Sequence, residues 1–107
     1  MKPLTSGLVF GNWATLLLAT DSRGCLDYPR LTEEIDVLID SKPNGIYSNG
    51  TAGEFYSQSM DEFVKVSEIL CSHCEKAGVA YQIGVSHPCA QESLARLKAI
   101  RHLQPGA

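Results

Sequence analysis

The sequence has few cysteines, no basic run and no apolar run long enough to cross a membrane. Its 9 lysine and arginine residues stand against 12 aspartate and glutamate residues, for a net charge of -3, so the positive surface that nucleic-acid binding requires is missing. Four cysteines among 107 residues are too sparse for a disulfide framework. We therefore expect no nucleic-acid partner, no membrane partner and a cytoplasmic location.

The amino terminus contains an apolar stretch that follows Lys2 and extends to Ala19, which imitates a secretory signal. Pro3 and Gly7 interrupt this stretch, and no small-x-small cleavage site follows it, so we expect no signal peptide. With 44% hydrophobic residues, the chain is long enough to bury one core. Residues 1–107 are predicted to form a single domain.

Hydrophobic patterning predicts strands and helices in alternation. The predicted strands lie near 13–19, 45–49 and 79–85, and the predicted helices lie near 28–41, 60–77 and 90–103. Ser59 and Glu62 form a capping box at the start of the second helix, and Gly78 ends it. On the last helix, the apolar stripe that we expect in the core consists of Leu94, Leu97, Ile100 and Leu103.

Alternation of this kind predicts parallel strands joined by crossover helices. The equivalent strand positions Thr15, Tyr47 and Ile83 are 32 and 36 residues apart. An eight-unit (β/α) barrel has about 250 residues, or roughly 31 per unit. The predicted fold class is therefore α/β, with parallel (β/α) units that form the first three to three and a half units of a TIM barrel.

The loop that follows the second predicted strand carries the most informative motif, Gly50, Thr51, Ala52, Gly53 and Glu54. Ligand sites of parallel α/β folds lie at the carboxyl ends of the strands. Two glycines let the backbone approach a ligand closely, and exposed amides with a threonine hydroxyl suit a carboxylate or phosphate oxygen. Glu54 would orient the loop or contact a neighbouring hydroxyl. Glycines also suit any strand-to-helix turn, so the motif alone leaves both interpretations open.

Three further residues are candidates for the wall of a substrate pocket. Tyr47 lies in the second predicted strand, Phe55 follows the motif, and His87 follows the third strand. Each also has an ordinary interpretation, as a barrel-lining or solvated side chain. Cys71 and Cys74 form a C-x-x-C without a second ligand pair, which favours core packing over a metal or redox site.

The chain resembles the dihydrodipicolinate synthase / N-acetylneuraminate lyase family of class I aldolase-type TIM barrels. The matching segments are, in chain order, Gly11–Thr15, Asp21–Asp27, Gly45–Phe55, Ser59–Phe63 and Gln82–Ser86 ahead of Glu92. Only the Gly-Thr-x-Gly-Glu loop is distinctive among them. The resemblance implies a lyase or aldolase that forms a Schiff base between a lysine and pyruvate or another 2-oxo acid, with no separate cofactor and no metal. It also implies a homo-oligomer.

In that family the two residues after the first motif glycine bind the substrate carboxylate through hydroxyls and backbone amides. Thr51 matches the first of these residues, whereas Ala52 keeps only the amide. The family's Schiff-base lysine lies on the sixth strand and its tyrosine on the fifth, whereas we expect this chain to end before the fourth. The chain would then be the amino-terminal part of the enzyme and contain no catalytic residue.

The lysines of this sequence agree with that expectation. They lie at the terminus, in a turn or in predicted helices, at Lys2, Lys42, Lys65, Lys76 and Lys98. A second function, from a class other than enzymes, also fits the sequence. It is a non-catalytic α/β binding or scaffold module derived from the same fold, which would self-associate to cover its open strand edges and sheet face.

Overall fold

The computed structural model describes residues 10–105, so Lys2, Pro3 and Gly7 lie outside it. Within that range the chain alternates three strands and three α-helices, with one short 3-10 helix. The elements are β1 (Trp13–Thr15), α1 (Tyr28–Asp40), β2 (Gly45–Ser48), the 3-10 helix Phe55–Ser57, α2 (Met60–Ala77), β3 (Ala80–Ile83) and α3 (Ala90–Ala99). Of the helices in this range, none combines the length and apolar composition needed to cross a membrane.

Local signals in the sequence set the ends of the helices. The Asp27 carboxylate accepts a hydrogen bond from the Arg30 amide at 3.1 Å and caps α1. The predicted capping box of α2 is confirmed, because Ser59 and Glu62 each accept a hydrogen bond from the other's backbone amide. Gly78 ends α2 in the left-handed conformation, with a φ of 68°.

Strand β1 is shorter than the predicted strand 13–19, and that boundary is wrong. The Leu16 amide still donates to the Tyr47 carbonyl at 2.8 Å, but the chain then leaves the sheet. Thr20 pairs with Leu26 in an isolated antiparallel bridge across the following turn. Local hydrogen bonding replaces the ladder there, a competition that apolar composition does not reveal.

Strands β2 and β3 and helices α1 and α3 also end earlier than predicted, at Ser48, Ile83, Asp40 and Ala99. At the end of β2, Asn49 adopts a left-handed φ of 58°, which is incompatible with a strand. After α3, the Leu103 amide donates to the Ile100 carbonyl at 2.9 Å, so the residues predicted as the last helical turn form a separate turn.

The three strands of residues 10–105 are parallel and lie in the order β1-β2-β3. Ala14, Ile46 and Tyr81 share one register position, and Thr15, Tyr47 and Gln82 share the next. Because side chains alternate along a strand, these two rows lie on opposite faces of the sheet. The first row faces the helices, since Ile46 is fully buried and Tyr81 contacts Cys71 on α2.

The core lies between this helix-covered face and the helices. Its fully buried members include Leu31, Ile35, Ile46, Phe63, Val66 and Leu70. The predicted apolar stripe of α3 is only partly correct, because Ile100 and Leu103 are buried but Leu94 is 50% exposed. The buried residue of α3 itself is Arg96, which is 4% exposed.

Candidate functional site

The loop after β2 lies at the carboxyl ends of all three strands. A Cβ built on Gly53 would lie 3.0 Å from the Leu16 carbonyl oxygen at the end of β1. A Cβ on Gly84, just after β3, would lie 2.8 Å from the Asn49 carbonyl oxygen. These backbone approaches require glycine, and they bring the Gly50–Glu54 loop to the strand edge where the sequence predicts it.

Two residues with left-handed backbone bracket this loop. Asn49 has a φ of 58° and Glu54 a φ of 51°, and neither is a glycine. Asparagine tolerates this conformation, whereas it costs a glutamate about 1–2 kcal/mol. The Glu54 amide donates to the Thr51 carbonyl at 3.1 Å, which closes the turn. The surrounding contacts therefore hold the loop in a shape that its own sequence does not favour.

The outer part of the loop presents backbone donors. Thr51 and Ala52 are both exposed, and neither amide donates a hydrogen bond to any residue in the range 10–105. Gly50 and Gly53 are buried beneath them. Consecutive unpaired amides in a tight turn form a concave donor surface for an anion.

A buried polar network supports the loop from below. The Ser48 hydroxyl oxygen accepts a hydrogen bond from Asn49 Nδ2 at 3.2 Å, and Asn49 Oδ1 accepts one from Gln58 Nε2 at 2.9 Å. Gln58 Nε2 also lies 3.4 Å from the Gly53 carbonyl oxygen, to which it donates. Gln58 Oε1 is buried and has no partner within residues 10–105. Sequence analysis missed these residues, because polar side chains after a strand ordinarily indicate a solvated turn.

The candidate pocket residues have distinct surroundings. The half-buried Tyr47 places its ring against Gly50, where a Cβ would lie 2.4 Å from ring carbon Cε1, and its hydroxyl beside Gly84. Phe55 packs edge to face on Tyr56, with ring centroids 5.5 Å apart. His87 Nδ1 accepts a hydrogen bond from the Cys89 amide at 3.0 Å, at the start of α3. A role for these three residues in substrate binding stays a prediction.

Glu54 contacts a neighbouring hydroxyl through its backbone. The hydroxyl and the amide of Ser57 both donate to the Glu54 carbonyl oxygen, each at 2.9 Å. The Glu54 carboxylate makes no hydrogen bond within the described part of the chain. A hydroxyl is therefore present, but it meets the backbone rather than the side chain.

None of the four lysines of residues 10–105 lies in this loop or on a strand. Lys42 occupies the turn before β2, at the opposite end of the strand, with a φ of 56°. Lys65 on α2 places its ammonium 3.8 Å from the centroid of the Tyr28 ring. Lys76 and Lys98 are exposed on the helices α2 and α3.

The C-x-x-C pair lies in the core, as the packing interpretation predicts. Cys71 and Cys74 are 6% and 0% exposed, and Cys71 Sγ lies 3.0 Å from the Tyr81 hydroxyl. Burial raises the pKa of Cys74 to about 12 and also raises the pKa of Cys71. Both thiols are therefore protonated at neutral pH.

Two surface grooves lie on the outer side of the helices rather than at the loop. They have volumes of about 450 and 340 Å³ and lie between α1 and α2. His73 lines both grooves and pairs with Asp36, Nδ1 to Oδ1, at 2.6 Å. Neither groove includes a residue that the sequence predicts for the site.

This chain is similar in sequence and in structure to several known proteins. The chain is 44% identical to the 4-hydroxy-tetrahydrodipicolinate synthase of Methanococcus aeolicus over 52 residues. These 52 residues make up 49% of this chain and 18% of that protein. The solved structure of CdNal from Clostridium difficile in complex with mannosamine is similar with a TM-score of 0.84 and 25% identity, over 92% of this chain and 34% of that one. A dihydrodipicolinate synthase of Bacillus anthracis gives a TM-score of 0.76 and 26% identity, over 87% and 32% of the two chains.

This chain thus spans about a third of the length of those solved structures. Their similarity confirms the prediction of parallel (β/α) units that correspond to the first units of a TIM barrel. The sequence model of the dihydrodipicolinate synthetase family matches residues 9–99. With that match over most of its length, the chain belongs to the dihydrodipicolinate synthetase family, as the Gly-Thr-Ala-Gly-Glu motif indicates.

Proposed function

We propose that this chain provides the carboxylate-binding loop of a lyase or aldolase that acts on pyruvate or another 2-oxo acid through a Schiff base. The observation that carries the proposal is the pair of exposed residues Thr51 and Ala52, whose amides have no acceptor within residues 10–105. They lie at the carboxyl edge of the sheet, where (β/α) barrels bind their substrates. Membership of a lyase and synthase family supports the same chemistry.

The loop suits a carboxylate because its donors are fixed in place. Amides held in a closed turn lose little entropy when an anion arrives, and charge strengthens each hydrogen bond. The Thr51 hydroxyl adds a third donor. Ala52 adds none beyond its amide, so we propose that this loop binds a carboxylate less tightly than one with two hydroxyls.

Tyr47, Phe55 and His87 would form the wall beside the bound 2-oxo acid. The Tyr47 ring lies between Gly50 and Gly84, so the bulk of this wall comes from β2. In the proposed reaction a lysine amine condenses with the 2-oxo carbonyl and releases water. The protonated imine then withdraws electrons from the neighbouring carbon, where a carbon–carbon bond forms or breaks.

We further propose that the residues of this chain bind substrate and do not form the imine. Lys42 precedes β2, Lys65 stacks on the Tyr28 ring, and Lys76 and Lys98 are exposed on α2 and α3, so none of them lies on a strand or in the loop. Mass measurement after incubation with pyruvate and borohydride should therefore show an unmodified chain. A single reduced adduct would contradict this part of the proposal.

Carboxylate binding is tested directly by following the amide signals of the ¹⁵N-labelled chain by NMR. Pyruvate and lactate should both shift the Thr51 and Ala52 signals, whereas acetone, which lacks a carboxylate, should not. Pyruvate that leaves both signals unchanged, or acetone that shifts them equally, would overturn the proposal.

A matched variant sharpens this test. Ala52→Thr restores the second hydroxyl, and one added hydrogen bond of about 1 kcal/mol should tighten pyruvate binding about fivefold. Thr51→Val removes a hydroxyl at similar volume and should weaken binding by a similar factor. Equal affinities for the wild type and both variants would assign the binding to another surface.

We also propose that the chain is cytoplasmic and assembles with copies of itself. The resemblance to the dihydrodipicolinate synthase / N-acetylneuraminate lyase family, which implies a homo-oligomer, supports the assembly. Sedimentation velocity should show a species larger than the monomer at micromolar concentration. A monomer at every concentration would contradict the assembly.

A further inference from the structure

Arg96 is the buried residue of α3, in a helix whose leucines are exposed. It is 4% exposed, whereas Leu94 and Leu97 are 50% and 39% exposed. Burial lowers the pKa of its guanidinium, although arginine stays charged in any protein. A buried cation is costly, so its contacts should explain why it is inside the fold.

The guanidinium donates to three backbone carbonyls. Nη1 lies 3.1 Å from the Phe55 oxygen and 3.4 Å from the Ser86 oxygen, and Nη2 lies 3.1 Å from the Gln58 oxygen. The guanidinium carbon lies 5.0 Å from the centroid of the Phe63 ring, which adds a cation–π contact. Only a planar group with several fixed donors can reach these acceptors at once.

These carbonyls belong to two different loops. Phe55 and Gln58 follow the Gly50–Glu54 loop, and Ser86 follows β3. Gln58 carries the connection further, because its side chain donates to Asn49 and to the Gly53 carbonyl. One side chain on α3 therefore connects, through Gln58, to the Gly53 backbone beside the exposed residues Thr51 and Ala52.

We propose that Arg96 is a positioning residue that fixes the Gly50–Glu54 loop to the β3–α3 loop and so gives the carboxylate-binding backbone its shape before a 2-oxo acid arrives. The second half of this proposal rests on the proposed function, and the first half does not. None of the hydrogen bonds of Arg96 within the described residues goes to Gly50–Glu54, so it acts through the 55–58 segment.

Hydrogen exchange of the ligand-free chain tests the first half. Arg96→Met keeps the length of the side chain and removes the donors, so the amides of Glu54, Phe55 and Ser57 should exchange about tenfold faster relative to amides of α1. Arg96→Lys retains the positive charge but not the two guanidinium nitrogens that donate to separate carbonyls, and it should give an intermediate rate. Arg101→Met changes an exposed arginine in the turn just after α3 and should leave all these rates unchanged.

A uniform rise in exchange across α1, α2 and the loop would assign Arg96 a general stabilising role and overturn the positioning role. If Arg96→Met does not fold, the loop-specific rise must appear in Arg96→Lys. Its absence there would also overturn the proposal.

Pyruvate titration by NMR tests the second half. Arg96→Met should bind pyruvate at least about fivefold more weakly than the wild type and Arg101→Met, under conditions where all three are folded. Equal affinity in a variant whose loop exchanges faster would overturn the link between loop order and binding. A wild type that does not bind pyruvate would instead refute the proposed function and the second half together, while the exchange result decides the first half.

Discussion

Ile46 and Asn49 are both almost fully buried, three residues apart, yet they are held in place in different ways. Ile46 lies on the helix-covered face of the sheet, among apolar side chains of α1 and α2. Asn49 lies at the carboxyl edge, where its side chain hydrogen-bonds Ser48 and Gln58. Apolar burial is non-directional, whereas a buried hydrogen bond depends on distance and angle.

The helix-covered face therefore mainly stabilises the fold, whereas the carboxyl edge mainly sets the shape of the loops. Burial of the helix-covered face stabilises the fold in proportion to the apolar area removed from water, which changes little when a side chain shifts slightly. The carboxyl edge contains the polar residues Ser48, Asn49, Gln58 and Arg96, all buried. Loss of a partner there leaves another group unsatisfied, so the loops keep their shape only while the network is complete.

The largest effect should follow from truncation of the helix-covered face. Ile46→Ala removes a fully buried side chain and should lower the free energy of unfolding by about 2–5 kcal/mol. Val37→Ala, at a residue that is 67% exposed on α1, is the matched control and should change it by about 0.5 kcal/mol or less. Urea denaturation measures both, and similar losses would show that the face is not the main source of stability.

A steric change at the carboxyl edge should cost less but alter the loop. A Cβ on Gly84 would lie 2.8 Å from the Asn49 carbonyl oxygen and 2.9 Å from the Tyr47 hydroxyl oxygen. Gly84→Ala should therefore lower the free energy of unfolding by about 1–3 kcal/mol and shift the amide signals of residues 49–55. Gly24→Asn, in open space at a φ of 80°, carries only the strain of a left-handed backbone and should leave the signals of residues 49–55 unchanged. Unchanged loop signals in Gly84→Ala would contradict the close packing of the two loops.

Alkaline pH should destabilise the fold through the buried thiol of Cys74, which lies in the helix-covered core. Burial holds the pKa of Cys74 at about 12 in the folded chain, against 9.0 for an ordinary thiol. Above pH 9.0 the unfolded state loses the Cys74 proton while the folded state keeps it. The free energy of unfolding is therefore unaffected by this thiol below pH 9.0 and falls as the pH rises toward about 12. The slope contributed by one thiol is at most about 1.4 kcal/mol per pH unit. Denaturation at a series of pH values should show a shallower fall for Cys74→Ala than for wild type or Cys25→Ser.

The smallest expected effect has the opposite sign. Glu54 occupies the left-handed region at a φ of 51°, so Glu54→Gly should raise the free energy of unfolding by about 1 kcal/mol or less. Glu54→Ala keeps the strain and controls for loss of the carboxylate. Thermal unfolding compares the three proteins. A glycine variant no more stable than the alanine variant would show that the loop is not strained there.

Several elements follow from local sequence. The prediction of a helix at 60–77 matches α2 at both ends, because the capping box and Gly78 act within a few residues of each helix end. The predicted position of the Gly50–Glu54 loop at the strand edge also follows from topology alone. Its roles in binding stay predictions.

Other features depend on neighbours that are distant in the chain. Arg96 is buried because the Phe55, Gln58 and Ser86 carbonyls converge on it, and a hydrophobic pattern instead favours Leu94 and Leu97 for the core. The end of β1 depends on where Tyr47 stops pairing with it. Neither the burial of Arg96 nor the end of β1 can be predicted from the residues next to it in the sequence.

The sequence by itself determined the order of strands and helices, the capping of α2, the family motif and the charge balance, since each depends on residue type over short spacing. Only the tertiary structure decided which polar residues are buried, which loop amides lack acceptors and how α3 connects to the loop after β2. The physical reason is that the hydrogen bonds that bury Arg96 join residues distant in the chain, with separations of 41 to Phe55 and 38 to Gln58.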